Sequence, residues 1–300
     1  MNFFQAGLVD MNELFAVDPQ SLAEDDGRYC KALYDRFGFH NGIFMAGLPS
    51  DWKAQVRRTS TTSLLSARCG EFLAQAKRKK FVLPVDSELR NYDFSEMCSR
   101  GLLAGVVGKR LIDSAPSISE VILDNDMLRA QRDAEIRTSP FAFIEAFQPL
   151  ILTSSELHLI DKYAFGFARH ERDLKESWYE FFRLVKALGP TSSKPLYRFV
   201  IHLWDSVSAM PSRERINTSL DELNSFLVNQ PGPDLEIVVH YSDESVPEDQ
   251  HDRFLLAAHG GLCIGWGLHF NGGESTTYVN YLSEDQLQYQ HKKFISGRQF

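Results

Sequence analysis

The sequence contains little cysteine and places none of it in a metal-binding pattern. Only four of its 300 residues are cysteines, and they are scattered with no Cys-x-x-Cys spacing. A structural zinc site needs closely spaced ligands, and a small secreted domain needs a dense disulfide framework, so we predict neither. Sparse, unpaired cysteine is typical of a reducing compartment, and we therefore expect a cytoplasmic protein.

Long uncharged apolar runs are also missing. None reaches the roughly 18–20 residues that are needed to cross a bilayer. The opening stretch MNFFQAGLVDMNELFAVD has neither the basic start nor the long apolar centre of a signal peptide. The sequence therefore predicts no transmembrane segment.

The chain has no excess of positive charge. Its 32 Lys and Arg residues stand against 40 Asp and Glu residues, which gives a formal net charge of −8. General attraction of the whole chain to nucleic acid or anionic lipid is therefore not expected, and a polyanion would have to meet a local basic patch. Lys77–Lys80 with Arg57 and Arg58 could form one, although a cationic last helical turn is the plainer interpretation of the lysine run.

What the sequence does contain is the composition of a globular protein with a sizeable core. Hydrophobic residues make up 43% of the chain and charged residues 24%, and phenylalanine is unusually frequent at 22 residues. A chain of this length predicts two domains. We place an α/β or α+β domain of unassigned type at residues 1–147 and a second domain at 148–300, with a linker near DAEIRTSPF.

The first half offers two predicted helices and one misleading motif. Apolar residues recur at three- and four-residue intervals in TSLLSARCGEFLAQAKRKK, and FSEMCSRGLLAGVVGKRLIDSA is a second helix candidate. The glycines of the second stretch suggest a phosphate-binding loop. A Walker loop, however, needs glycine where Leu103 stands and Ser or Thr where Arg110 stands, so we exclude it.

The second half alternates strand and helix patterns. Strands are predicted at ELHLIDKYAF, LYRFVIHLWD and LEIVVHYSD, with helices at SWYEFFRLVKAL and TSLDELNSFLVN between them. A hairpin follows, formed by RFLLAAH and GLCIGWGLHF and joined by a Gly-Gly turn. This order predicts an α/β domain with a mixed sheet flanked by helices.

Charged residues gather where these strands end. Asp161 and Lys162 follow the first strand, and His251, Asp252 and Arg253 open the hairpin. If the strands are parallel neighbours, these residues converge on one edge of the sheet, where ligands of open α/β sheets bind. An imidazole beside a guanidinium suits a phosphate, and such a histidine could also act as a nucleophile or general acid. The plainer alternative is that the charged residues pair with their neighbours.

Two further histidines lie close to this segment. His259 and His269 are separated by a turn and could approach His251, and three histidines could bind zinc. Their spacing matches no tight metal-binding pattern. We therefore predict no metal and no cofactor.

The segment HDRFLLAAHGGLCIGWGLHF resembles the phospholipase D superfamily signature, H-x-K-x4-D followed by Gly-Ser. His251 takes the place of the histidine, Arg253 that of the lysine and Gly265 that of the glycine. More specifically, the segment is similar to one in the phospholipase D-like domain at the C-terminus of MIT-domain proteins and of bacterial relatives. ELHLIDKYAF resembles the opening strand of that domain. The resemblance covers about residues 148–300 and does not extend to residues 1–147.

The chain departs from the signature at the positions that the family's hydrolysis uses. Ala258 stands in place of the aspartate and Trp266 in place of Ser or Thr. The family chemistry also takes two histidines, one forming a phosphohistidine and one protonating the leaving group, whereas this chain has a single motif. A homodimer would supply a second histidine but neither of the other groups.

The resemblance therefore implies a non-hydrolytic module that recognises a phosphate-bearing ligand, with DNA, RNA or a nucleotide favoured. The implied ligand-binding residues are His251, Asp252, Arg253, Asp161 and Lys162. By analogy with bacterial relatives, a role in a bacterial anti-phage defence system is a further expectation.

Two other functions stay open. One is an interaction or regulatory subunit of a larger complex, which the phenylalanine content and the net charge of −8 favour. The other is a homodimeric, metal-independent phosphodiesterase or nuclease with His251 as its catalytic nucleophile. The expected partners are thus a phosphate-bearing ligand together with a second copy of the chain or another protein.

Overall fold

The structure is a computed structural model that describes two separate compact units. The described residues are 15–17, 43–45, 51–59, 63–78, 105–107, 133–188, 196–204, 207, 210–242, 253–270 and 275–296. One unit spans Asp10–Arg132, and the other contains Asp133–Phe300. The second unit thus begins before the predicted boundary at residues 147 and 148.

In its described residues, the first unit contains a small parallel sheet and two helices. The elements are β1 (Phe15–Val17), β2 (Ile43–Met45), α1 (Trp52–Thr59), α2 (Ser63–Arg78) and β3 (Gly105–Val107). The strands lie in the order β2-β1-β3, and both pairs are parallel. The helix predicted from TSLLSARCGEFLAQAKRKK is confirmed as α2.

The second predicted helix of this unit is wrong at Gly105–Val107, which forms β3. Two consecutive β-branched valines favour a strand, and pairing with β1 stabilises it.

The structure describes only part of the proposed basic patch, in which Arg58 pairs with Asp51 at 3.3 Å. Lys79 and Lys80 lie outside the described residues.

The second unit is a seven-stranded mixed sheet flanked by helices, which confirms the predicted α/β class. The elements are β4 (Asp133–Arg137), α3 (Pro140–Thr153), β5 (Glu156–Ile160), a 3-10 turn (Gly166–Ala168), α4 (Arg172–Leu188), β6 (Arg198–Trp204), α5 (Arg213–Val228), β7 (Glu236–Ser242), β8 (Arg253–Ala257), β9 (Gly260–Ile264), β10 (Thr276–Tyr281), α6 (Glu284–His291) and a π-helical turn (Lys292–Ser296). The strand order is β4-β10-β9-β8-β5-β6-β7. Neighbours β5, β6 and β7 are parallel, and the remaining pairs are antiparallel.

The predicted linker is wrong, because its first five residues are the edge strand β4. Ala134 and Ile136 are buried on one face of this strand while its other residues are exposed, and the strand pairs antiparallel with β10. The chain then enters α3 directly, since the Ser139 hydroxyl accepts a hydrogen bond from the Ala142 N–H and caps the helix.

The hairpin is confirmed, but its turn is not the Gly-Gly pair. Ala257 pairs with Gly260, so the turn consists of Ala258 and His259, and both glycines belong to β9. Gly261 is closely packed, because a Cβ there would lie 3.0 Å from the Leu256 and Leu287 side chains, which would have to shift to accommodate it.

One face of the sheet is covered by a layer of aromatic side chains. Trp178 of α4 lies edge-on to Phe270, with ring centroids 5.2 Å apart. Phe182 meets Phe199 of β6 at 5.1 Å, and Phe181 contacts both Phe182 and Phe199. Edge-to-face pairs of this kind stabilise a core beyond the area that they bury. Part of the chain's high phenylalanine content therefore packs in the core of this unit.

The opposite face of β5, β6 and β7 carries a row of histidines that the sequence analysis did not identify. His158 Nδ1 lies 3.0 Å from His202 Nε2, and the His202 and His240 rings are 5.4 Å apart. Burial lowers the pKa of His158, while the Glu156 carboxylate, 2.9 Å from its Nε2, opposes that shift.

No helix in the part of the chain that the structure describes is long and apolar enough to cross a bilayer.

Replacing Phe181 by alanine should destabilise the second unit strongly. Phe181 is fully buried, and such a Phe→Ala change typically costs about 3–5 kcal/mol through lost burial and a residual cavity. Phe141→Ala is the matched control, since that side chain is 53% exposed. Chemical unfolding followed by circular dichroism should show a large loss for the first variant and little for the second. Equal losses would contradict this description of the core.

Candidate functional site

A cleft of about 830 Å³ opens at the carboxyl end of β5. Its walls come from the segment that follows β5, from the start of β8 and the residues after β9, and from the neighbouring ends of β4 and β10. Its volume lies within the range of small-ligand sites, roughly 300–1,000 Å³. The lining residues are Thr138, Asp161, Tyr163, Gly166, Arg169, Glu171, Leu174, Trp178, Arg253, Trp266, Leu268, His269, Ser275 and Thr276.

A buried carboxylate lies at the base of this cleft. Asp161 follows β5 directly and is only 4% exposed. Its Oδ1 accepts a hydrogen bond from the Tyr163 N–H at 2.9 Å, and its Oδ2 accepts one from the Leu268 N–H at 3.2 Å. Asp161 therefore joins the end of β5 to the turn that follows β9.

Burial and neighbouring groups shift the pKa of Asp161 in opposite directions. Burial raises the pKa of the carboxyl, because the charged form loses its hydration. The N–H groups of Tyr163 and Leu268 and the Arg253 guanidinium lower the pKa in turn. These groups offset only part of the effect of burial, so the pKa of Asp161 lies above its ordinary value.

Arg253, the first residue of β8, is fixed on two sides. Its Nη1 donates to the Gly265 carbonyl at 2.9 Å, and its Nε lies 3.9 Å from Asp161 Oδ1. The guanidinium also lies over the Tyr163 ring, 5.8 Å from its centroid. These contacts fix the orientation of a cation on the cleft wall.

The turn after β9 presents a tryptophan to solvent. Trp266 is 71% exposed, while its main-chain N–H donates to the buried Thr277 hydroxyl at 3.0 Å. Gly267 follows with φ +73°, a conformation that favours glycine. A Cβ at Gly267 would overlap Asp161 Oδ2 and come within 3.1 Å of Arg253 Cγ. The turn is therefore built around the Asp161 carboxylate.

The structure brings together part of the predicted site. The strands β5, β6 and β7 are parallel neighbours as expected, and Asp161 and Arg253 meet in the cleft. Lys162 points its Nζ at the Tyr163 ring, 5.4 Å from the centroid, and is not among the residues that line the cleft. His251 and Asp252 lie outside the described residues. The ligand-binding roles of all five residues stay predictions.

Besides Arg253, which replaces the lysine, two positions depart from the signature, and they lie at opposite ends of the hairpin. Ala258 is in the β8–β9 turn, five residues beyond Arg253, a separation of about 16 Å at a rise of about 3.3 Å per residue. Trp266, by contrast, lines the cleft. Of the two replacements, only the tryptophan changes the cleft itself.

The histidines of the zinc alternative are also separated. His259 lies in the β8–β9 turn, whereas His269 follows the other end of β9 and lines the cleft. Within the described ranges, no group of three or more His, Cys, Asp or Glu side chains is placed to hold a metal ion.

Several residues that line or support the cleft were not predicted from the sequence. Tyr163 supports Arg253, Arg169 adds a second cation, and Thr277 fixes the tryptophan turn. Tyr163 and Arg169 follow β5 within ten residues, so their proximity to a strand end was the available indication. No sequence pattern indicated Thr277, because its role depends on the pairing of β9 with β10.

Comparisons with known proteins add little to this geometry. No protein-family model matches the sequence, and no curated protein matches it. Among solved structures, TrmBL2, an archaeal chromatin protein whose structure shows a novel mode of DNA binding, aligns over 92% of this chain and 91% of its own. The identity is 13% and the TM-score 0.28, so the similarity supports no inference about fold or function.

Replacing Gly267 by alanine should destabilise the cleft, and the same change at Gly265 should not. At Gly267, a positive φ costs about 1–2 kcal/mol for a residue with a Cβ, and the added carbon overlaps Asp161. At Gly265, the nearest atom to a new Cβ is Thr277 Oγ1 at 3.7 Å, an ordinary contact. Thermal unfolding of the two variants checks this. Equal melting temperatures for both would show that the turn is not built around Asp161.

Proposed function

We propose that the second unit is a phospholipase D-like module that recognises a phosphate-bearing ligand in this cleft without hydrolysing it, with nucleic acid or a nucleotide favoured. The observation that carries the proposal is Arg253, which the Gly265 carbonyl, the Asp161 carboxylate and the Tyr163 ring hold on the cleft wall. A guanidinium in a fixed orientation suits a phosphate, because its planar fork matches two phosphate oxygens.

A second cation supports a phosphate over a neutral ligand. Arg169 lines the same cleft, and its guanidinium lies 5.1 Å from the centroid of the Phe165 ring. In the part of the chain that the structure describes, no carboxylate lies within ion-pair distance of Arg169. Two carboxylates line the cleft as well: Glu171, and Asp161, which is engaged with main-chain N–H groups and with Arg253. Arg169 therefore adds positive charge that no ion pair with Asp161 offsets.

The proposal of binding without hydrolysis rests on Trp266. This residue lines the cleft at the position where the phospholipase D signature has Ser or Thr. Replacing a small residue with an indole ring removes a hydroxyl group that could donate a hydrogen bond to a phosphate oxygen during hydrolysis. Ala258 supports the proposal less, because it lies at the far end of β8.

Removing either cleft arginine should weaken phosphate binding. A hydrogen bond to a charged group contributes about 1.5–3 kcal/mol, so Arg169→Gln and Arg253→Gln should each raise Kd about tenfold or more. Arg172→Gln is the matched control, because Arg172 is exposed, pairs with Glu176 and lies outside the cleft. The measurement is fluorescence anisotropy with the full chain and a labelled single-stranded oligonucleotide, a labelled duplex, or vesicles that contain phosphoinositide.

The three probes separate nucleic acid from a lipid headgroup as the source of the phosphate. Circular dichroism of each variant confirms that it is folded. If no probe binds, or if the cleft variants bind like Arg172→Gln, the proposal is wrong. Turnover of a phosphodiester substrate that is lost in His251→Ala would favour the phosphodiesterase alternative instead.

A further inference from the structure

Trp266 differs from every other tryptophan of the chain in its exposure. It is 71% exposed, whereas Trp52, Trp178 and Trp204 are 8%, 1% and 2% exposed. An isolated exposed apolar side chain is common on protein surfaces and needs no explanation. Trp266 is not isolated, however, because it lines the cleft together with Tyr163, whose ring is also exposed.

The backbone around Trp266 is held in place although its side chain is exposed. The Trp266 N–H donates to Thr277 Oγ1, and the Gly267 N–H donates to the Ile264 carbonyl at 3.3 Å. The next N–H along the chain, that of Leu268, donates to Asp161 Oδ2. A ring mounted on such a turn loses little conformational freedom when a flat ligand stacks on it, which favours binding.

The groups beside the ring suit a nucleotide. Arg253 and Arg169 line the same cleft as Trp266 and provide charge for a phosphate. The exposed indole provides a face for a base, and every nucleobase has a π-face that stacks on an aromatic ring. An aromatic ring and guanidinium groups within one small cleft are the combination that proteins use for single-stranded nucleic acid.

The size of the cleft favours an unpaired base. At about 830 Å³ it has the volume of a small-ligand site. A duplex is much wider, since its major groove alone measures about 12 Å across, and its stacked pairs do not expose their base faces. A base that is stacked inside a duplex has no free face for the Trp266 ring, whereas an unpaired and unstacked base has one.

We infer that the cleft binds an unpaired nucleotide whose base stacks on Trp266 while its phosphate lies against Arg253 and Arg169, so that the module prefers single-stranded nucleic acid to duplex. This inference rests on the proposed function, since it names the ligand class of the same cleft. Trp266 is then the residue that determines specificity for a base, and the two arginines provide the affinity for phosphate.

The test compares three labelled probes with the full chain: a short single-stranded oligonucleotide, the duplex of the same sequence, and the same backbone with abasic sites. The wild type should bind the single strand tightest. Base stacking on an aromatic ring corresponds to about a 5- to 140-fold change in Kd on substitution by alanine, that is, 1–3 kcal/mol. Trp266→Ala should therefore bind the intact strand about as weakly as the wild type binds the abasic backbone.

Two further variants make the result specific. Trp266→Phe keeps an aromatic face and should retain most of the affinity. Tyr197→Ala is the matched control, because Tyr197 is an exposed aromatic residue that does not line the cleft. Since the other tryptophans are buried, the single strand should also quench the intrinsic fluorescence of the wild type and of Tyr197→Ala, and quench Trp266→Phe much less.

The possible outcomes are distinguishable. If the strand binds and Arg169→Gln weakens it, but Trp266→Ala or the abasic backbone has no effect, the base-stacking inference is wrong and the proposed function stands. Equal affinity for duplex and single strand would also overturn the inference. If no nucleic-acid probe binds the wild type, the inference is wrong, and the proposed function is wrong as well if phosphoinositide vesicles also fail to bind.

Discussion

The Asp161 carboxylate holds the cleft together because each of its oxygens accepts a main-chain N–H from a different part of the chain. Tyr163 lies just after β5, whereas Leu268 lies just after β9, more than one hundred residues later. A buried carboxylate without such donors would be costly, so the donors, the neighbouring Arg253 and the glycine at position 267 form one interdependent set. Removing any member leaves another without its partner, and this constraint fixes the geometry of the cleft walls.

The same constraint explains how an exposed cleft is combined with a stable core. The turn that carries Trp266 is fixed at its base by Asp161 and Thr277, while the ring remains exposed. The aromatic layer of α4 and the sheet lies beneath, and Trp178 both packs in that layer and lines the cleft. Buried groups thus hold the turn in position, and the groups that are proposed to contact a ligand lie at the surface.

Local patterns were enough to predict most of the second unit. Alternating strand and helix patterns predicted β5 to β9 with the helices α4 and α5, and the expectation that strand ends converge placed Asp161 and Arg253 together. Two features that local patterns did not reveal, the strand β4 and the histidine row, depended on strand pairing over long distances. The strand β4 was mistaken for a linker because its partner β10 is about 140 residues away, and the histidine row became visible only with the parallel register of β5 to β7. The phospholipase D resemblance remains a prediction, since it concerns His251 and other residues whose roles need binding experiments.

The most direct test of the Asp161 account is amide hydrogen exchange of Tyr163 and Leu268 in the wild type and in Asp161→Asn. The variant keeps the shape of the side chain but has one acceptor oxygen for two donors. A buried N–H without an acceptor costs about 1–3 kcal/mol, so at least one of the two amides should exchange about tenfold faster or more. The Ile237 amide, which donates to the Asn224 side chain at 3.0 Å, serves as an internal control and should be unchanged. Equal protection of Tyr163 and Leu268 in both proteins would contradict the claim that this carboxylate holds the cleft together.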